Sequence, residues 1–185
     1  MRLTPRVVAY TSHEEGIARE AYLDSAQPPV WTWSMGLTAA AGINVLQYRN
    51  RPAPIEVCLN AAIERLNAAY LPNVNRAFAG HALNDAQLAA AVSFEWNTDA
   101  IGRADWVHHW IAGNMAAARR DLTFNYLGGG QLADRRKREA ALFFDNTWPA
   151  DMHCPVWQVS HPGYRPYKPV ATDVMPILQS IMGGA

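Results

Sequence analysis

The chain has 185 residues, a formal net charge of zero, and a residue content half hydrophobic and only 17% charged. That length suits one domain in two lobes with a sizeable core, and the composition excludes a disordered chain. The charge balance gives no case for nucleic-acid binding, which needs a basic face.

Thr4-Pro5 opens the first predicted helix, a hydroxyl cap followed by proline at the first helical position. Gly16 is its expected stop, which leaves Glu14 and Glu15 at the C-terminal end. Tyr22, Val30, Trp31, Thr32 and Trp33 favour extended chain around a turn at "SAQPP", so residues 17–38 read as a small hairpin or sheet. Pro54 opens a helix carrying Ile55, Leu59, Ile63, Leu66 and Tyr70 on one face, with Pro72 as its predicted end. Asn84 or Asp85 caps the next helix, with Leu88, Ala91, Val92 and Trp96 inward. "ADWVHHWIAGN", "MAAARRDLTFNY" and "LADRRKREAALFF" supply three more, the first two closed by Gly113 and by the glycines at 128–130. The tail from Asp145 is rich in proline and aromatics and ends in the amphipathic piece "ATDVMPILQSIM". We expect it to wrap along the helical lobe as ordered, extended chain, with Val174, Ile177, Leu178 and Ile181 docking a short helix.

The elements together predict a mainly helical α+β fold with a small sheet on one side of a cleft. The acids fall where the first helix meets the sheet. Cleaving a glycosidic bond takes one protonated carboxyl to donate to the leaving oxygen and one carboxylate to handle water or the cationic sugar. Glu15 and Asp24 have the residue types for it, although surface acids nine residues apart commonly mean nothing.

The segment from Glu15 to Thr38 resembles the catalytic segment of the phage-type lysozymes, glycoside hydrolase family 24. The family's order is Glu-Gly, Tyr-x-Asp, then Thr-Ile-Gly-x-Gly-His-Thr. Here it reads Glu15-Gly16, Tyr22-Leu23-Asp24, then "TWSMGLT" at 32–38. "LNDAQLAAAVSFEWN", "WIAGNMAAARRDL" and "FNYLGGGQLADRRKREAALF" resemble later helices of the family, so the likeness covers about residues 4–143. It implies a muramidase that hydrolyses the β-1,4 bond between N-acetylmuramic acid and N-acetylglucosamine in peptidoglycan, in the setting of phage or prophage lysis. The resemblance assigns Glu15 as general acid, Asp24 as the second carboxylate and Thr32 as the hydroxyl that holds water. It suggests Thr38, Trp96, Asn97 and Trp31 as substrate contacts. Alternatives are a catalytically weak peptidoglycan-binding protein on the same fold and an antibacterial effector delivered to another cell.

The sequence departs from the family at Leu37, which replaces a histidine, and at Ser34, which replaces a glycine. The turn between Asp24 and Thr32 is two residues longer, an extension expected to bear on where Thr32 sits. Arg135, Arg136 and Glu139 match the terminal helix and predict structural pairing; the wider run of Arg and Lys from Arg119 to Arg138 reads as two solvated helix faces. Residues 1–144 are the expected catalytic domain and 145–185 an extension packed on the helical lobe. No zinc pattern occurs, a Cys58–Cys154 disulfide is the less expected state, and neither cofactor nor metal is expected. No signal peptide is visible and no run reaches membrane-spanning length. The expected protein is a monomer, made in the cytoplasm without stable membrane insertion and acting on the wall after release.

Overall fold

The computed structural model describes residues 1–183; of the extension, Gly184 and Ala185 lie outside them. Contacts divide the chain into two compact units, Met1–Thr11 with Leu66–Asp151, and Ser12–Arg65 with the segment from Met152 onward. The fold is mainly helical with one small mixed sheet, the expected α+β class.

The first unit is all helical. Helix α1 (Pro5–Glu15) begins as predicted, with the Val7 amide donating to Thr4 Oγ1 at 3.4 Å. Helices α3 (Leu71–Ala77), α4 (Asp85–Thr98), α5 (Asp105–Ile111), α6 (Met115–Phe124) and α7 (Ala133–Asp145) complete the unit. Asn84 caps α4 in a reciprocal box with Gln87, which satisfies two of the helix's orphan donors. In the core, Phe94 and Phe143 meet Trp106 edge to face, while Phe78 lies tilted against Trp106 and Phe143.

α7 carries a buried charge network. Glu139 accepts from Ser93 Oγ at 2.6 Å and pairs with Arg135 and Arg136, both contacts at 3.1 Å. Burial pushes the Glu139 carboxyl up, against the pull of the two guanidinium groups and the hydroxyl. The expected pairing role holds, while the expected solvated face does not extend to Arg135 and Arg136. Both are buried because desolvated charges need partners, and Glu139 supplies them.

The second unit holds the sheet. Strands β1 (Ile17–Leu23), β2 (Trp31–Ser34) and β3 (Leu37–Thr38) form the predicted hairpin and its extension. Helix α2 (Ile55–Arg65) leads into a wider π turn at Leu66–Tyr70, and the helical run then continues through α3. Pro72 therefore does not end it. It falls in the first turn of α3, where its missing N–H costs least.

The tail departs from expectation as well. Up to Asp151 it belongs with the helical unit, with Trp148 edge-on to Tyr10 and under the Arg6 guanidinium. Beyond that it joins the sheet rather than wrapping the helices. β4 (Cys154–Val159) pairs parallel with β1, and β5 (Pro166–Thr172) pairs antiparallel with β4, giving the order β3-β2-β1-β4-β5. The outer edge of β1 needs hydrogen-bond partners, and β4 supplies them. Pro166 and Pro169 are tolerated because β5 is itself an edge strand. The closing helix α8 (Met175–Met182) buries Leu178, with Val174 buried at its cap, and contacts α2.

Candidate active site

Glu15 is the last residue of α1, and Gly16 breaks the helix at φ +72° while its amide still donates to Ser12 O at 2.8 Å. The glycine is required twice over. The left-handed backbone disfavours a side chain. A Cβ there would also meet Pro155 O at 2.9 Å and the Trp157 indole at 2.5 Å.

β1 then carries the chain from Glu15 to Asp24, placing one carboxylate at each end of a single strand. The Tyr22 phenol is pushed up to about 12, first by burial and then by the negative charges of Asp24 and Glu15. Both carboxylates thus act on the same hydroxyl. The sequence marks Tyr22 as a strand former and a motif position, not as a group on which both carboxylates act.

The long loop from Asp24 to Val30 is closed by its own ends. The Val30 amide donates to Asp24 Oδ1 at 2.8 Å, the Ala26 amide donates to the same oxygen, and the Asp24 amide donates to Val30 O. Thr32 Oγ1 donates to that same Val30 carbonyl at 3.1 Å. One residue therefore ties Asp24 to Thr32, and the extra turn residues bulge outward without carrying either away. The strand register agrees: Thr32 stands opposite Tyr22 in β1 and opposite Thr38 in β3, so the three share one face. Thr32 is buried, with its hydroxyl proton committed to Val30, which leaves its lone pairs to accept from water.

The remaining predicted residues divide between the units. Thr38 caps the short helical turn that follows, accepting from the Ala40 amide at 3.3 Å. Trp31 lies edge-on to Tyr164, 5.0 Å between ring centres, beside the Arg49 guanidinium. Trp96 and Asn97 belong to the helical unit. Trp96 is half-buried against Tyr70, and Asn97 Oδ1 accepts from Arg136 at 2.8 Å, so the buried ion network orients its amide. Trp33 and Trp106 are core.

Cys58 and Cys154 are free, buried thiols, both pushed up to about 12 chiefly by desolvation. His161 pairs with Glu20 at 3.2 Å. Among the described residues no three His, Cys, Asp or Glu gather to hold a metal, and no helix is long and apolar enough to cross a membrane.

An acid on a helix end, a second carboxylate on a pinned loop and a hydroxyl with free lone pairs are the parts of glycoside hydrolysis. Comparison with known proteins agrees. The sequence model of the family described as phage lysozyme matches residues 12–139. The chain belongs to the phage lysozyme family. This lysozyme is accordingly a glycoside hydrolase that degrades peptidoglycan. No curated protein matches its sequence. Among solved structures it resembles a mutant of P22 lysozyme, with 23% identity, a TM-score of 0.64, and 77% of this chain and 98% of that one covered. It also resembles the endolysin from Escherichia coli O157:H7 phage FAHEc1, with 20% identity, a TM-score of 0.64, and 80% and 97% covered. The muramidase domain of SpmX from Asticaccaulis excentricus shares 22% identity and a TM-score of 0.58, with 75% and 94% covered. These likenesses are of fold. The matched segment stops short of β4 and β5, which belong to this chain's extension.

Proposed function

We propose that this lysozyme hydrolyses the β-1,4 bond between N-acetylmuramic acid and N-acetylglucosamine, with Glu15 as general acid, Asp24 as the second carboxylate and Thr32 as the group that holds the attacking water. The observation that carries this reading is the Val30 tie, which binds Asp24 Oδ1 through its N–H and the Thr32 hydroxyl through its carbonyl. Oδ1 is occupied by two amides. Asp24 therefore presents its other oxygen to the reaction. Glu15 protonates the departing sugar oxygen as positive charge develops on the neighbouring ring, and the Asp24 carboxylate stabilises that charge or orders the water. The Thr32 oxygen accepts a hydrogen bond from that water and so aims its lone pair, and the proton the water loses as it attacks passes to the Asp24 carboxylate.

In this reading residues 1–144 supply every reacting group, and Trp31, Thr38, Trp96 and Asn97 contact the glycan. The protein works as a monomer on peptidoglycan in the periplasm or cell wall, in phage or prophage lysis. Digestion of purified peptidoglycan tests it. Reducing muramic ends are expected; 1,6-anhydro ends would replace hydrolysis by transglycosylation. Glu15→Gln abolishes the digestion with the melting temperature near wild type, while Glu14→Gln keeps most activity. The reverse result would move the acid to Glu14.

A further inference from the structure

The extension touches β1 at both ends, and those ends are where the two carboxylates sit. At the Glu15 end, Trp157 and Pro155 lie against Gly16, where no side chain fits. Cys154 Sγ donates to Ser12 O at 3.3 Å, and the His13 ring nitrogen Nδ1 lies 3.0 Å from His153 O. These contacts hold the last turn of α1.

At the Asp24 end, the turn between β4 and β5 grips the catalytic loop on both sides. The Leu23 amide donates to Tyr164 O at 2.8 Å. Arg165 Nη1 donates to Leu23 O at 3.0 Å and to Asp24 O. Tyr164 meets Trp31, the residue that follows Val30. The turn itself is closed by Ser160, whose amide donates to Arg165 O at 2.9 Å and whose hydroxyl accepts from the Arg165 amide at 3.1 Å. His161 adds a contact with Glu20 in the middle of β1.

We infer that the β4–β5 extension is a positioning element for catalysis, and that Arg165 is the positioning residue that sets Asp24. This rests on the assignment of Glu15 and Asp24 given above. Arg165 acts on the Asp24 backbone rather than on substrate. It fixes the peptide from which the carboxylate projects, while Ala26 and Val30 fix the carboxylate itself. Misplacing a reacting group by about 1 Å costs on the order of 100-fold in rate, so a surface guanidinium that bonds only the Leu23 and Asp24 backbone can govern turnover.

The test uses the full chain with Arg165→Ala and Arg165→Lys. Both bonds leave from one nitrogen, so a lysine ammonium, with three donors, can replace them. Expected for Arg165→Ala on soluble peptidoglycan fragments is a kcat loss of about 10- to 100-fold with KM little changed, and Arg165→Lys recovers most of it. A second readout needs no turnover. In the Glu15→Gln background, Arg165→Ala speeds amide hydrogen exchange at Ala26 and Val30, whose acceptor is Asp24 Oδ1, and Arg165→Lys slows it again. Unchanged exchange at both amides overturns the proposal, as does unchanged kcat or a kcat loss that lysine fails to recover. If the wild-type chain cleaves no peptidoglycan, the functional reading falls, and the exchange result alone decides whether Arg165 holds Asp24.

Discussion

Replacing Gly16 with alanine isolates the contact on which the docking of β4 depends. Two costs are expected. The left-handed backbone at φ +72° charges any L side chain roughly 1–2 kcal/mol. The new Cβ also meets Pro155 O at 2.9 Å and the Trp157 indole at 2.5 Å, and the first of these is backbone. Forcing one carbon into a filled site costs about 1–3 kcal/mol. The sum, about 2–5 kcal/mol, lowers Tm by about 4–20 °C at about 2–4 °C per kcal/mol for a chain of this size. Gly42 provides the control: it has φ +78° and nothing within 4 Å of a built Cβ. Gly42→Ala should show only the backbone cost, about 1–2 kcal/mol. Thermal melting followed by circular dichroism measures both variants. Equal losses would mean that β4 does not press on Gly16, and the account of the extension as a brace for Glu15 would fail.

Asp24→Asn retains Oδ1 to accept from Ala26 and Val30, so the loop should stay closed while turnover falls by ~10²–10⁴-fold. Thr32→Ala should also reduce turnover strongly and Thr32→Ser should restore it; wild-type rates for Thr32→Ala would remove the hydroxyl from the mechanism. Tyr22 should titrate near 12, above its ordinary 10, and Asp24→Asn should lower that midpoint by removing the larger of the two charges that raise it. The folded state holds the phenolic proton more tightly than the unfolded state, so this group's contribution is fully present below pH 10 and is lost as pH rises from there through about 12. Tyrosinate absorbance compared with Tyr22→Phe checks the midpoint, and a Tyr22 that ionises at its ordinary value would refute its burial and, with it, the influence of the two carboxylates on it.

Where local chemistry decides the outcome, the sequence was readable. Thr4-Pro5 begins α1 and Gly16 ends it, because a hydroxyl cap, a fixed φ and a left-handed glycine act within one turn of chain. The Asn84 cap was legible for the same reason. Pro72 misled because proline stops a helix only from within. One helical segment gives way to the next through a π turn at Leu66–Tyr70, and Pro72 falls in a first turn, a position that periodicity cannot anticipate. The buried state of Arg135 and Arg136 was half visible. Their pairing with Glu139 follows from i,i+4 and i,i+3 spacing, but the Ser93 hydroxyl and the Asn97 amide that complete the network come from α4, about forty residues earlier.

The extension marks the harder limit. Its prolines argue against a sheet, but Pro166 and Pro169 lie in β5, an edge strand among the described residues, and Pro155 sits near the start of β4, before the pairing with β1 begins at Val156. Parallel pairing between residues 17 and 156 leaves no short-range trace, since no turn joins the two strands and neither strand alternates cleanly in sequence. The same non-locality hides Arg165: its guanidinium reaches Leu23 and Asp24 across more than 140 positions, and nothing beside it in the chain announces a link to the catalytic loop. What the sequence does contain is the other half of the contact. Gly16 lacks a side chain where the backbone of β4 comes close. Gly16 therefore has two separable causes, the left-handed turn that ends α1 and the strand packed beside it, and only the second needs the extension.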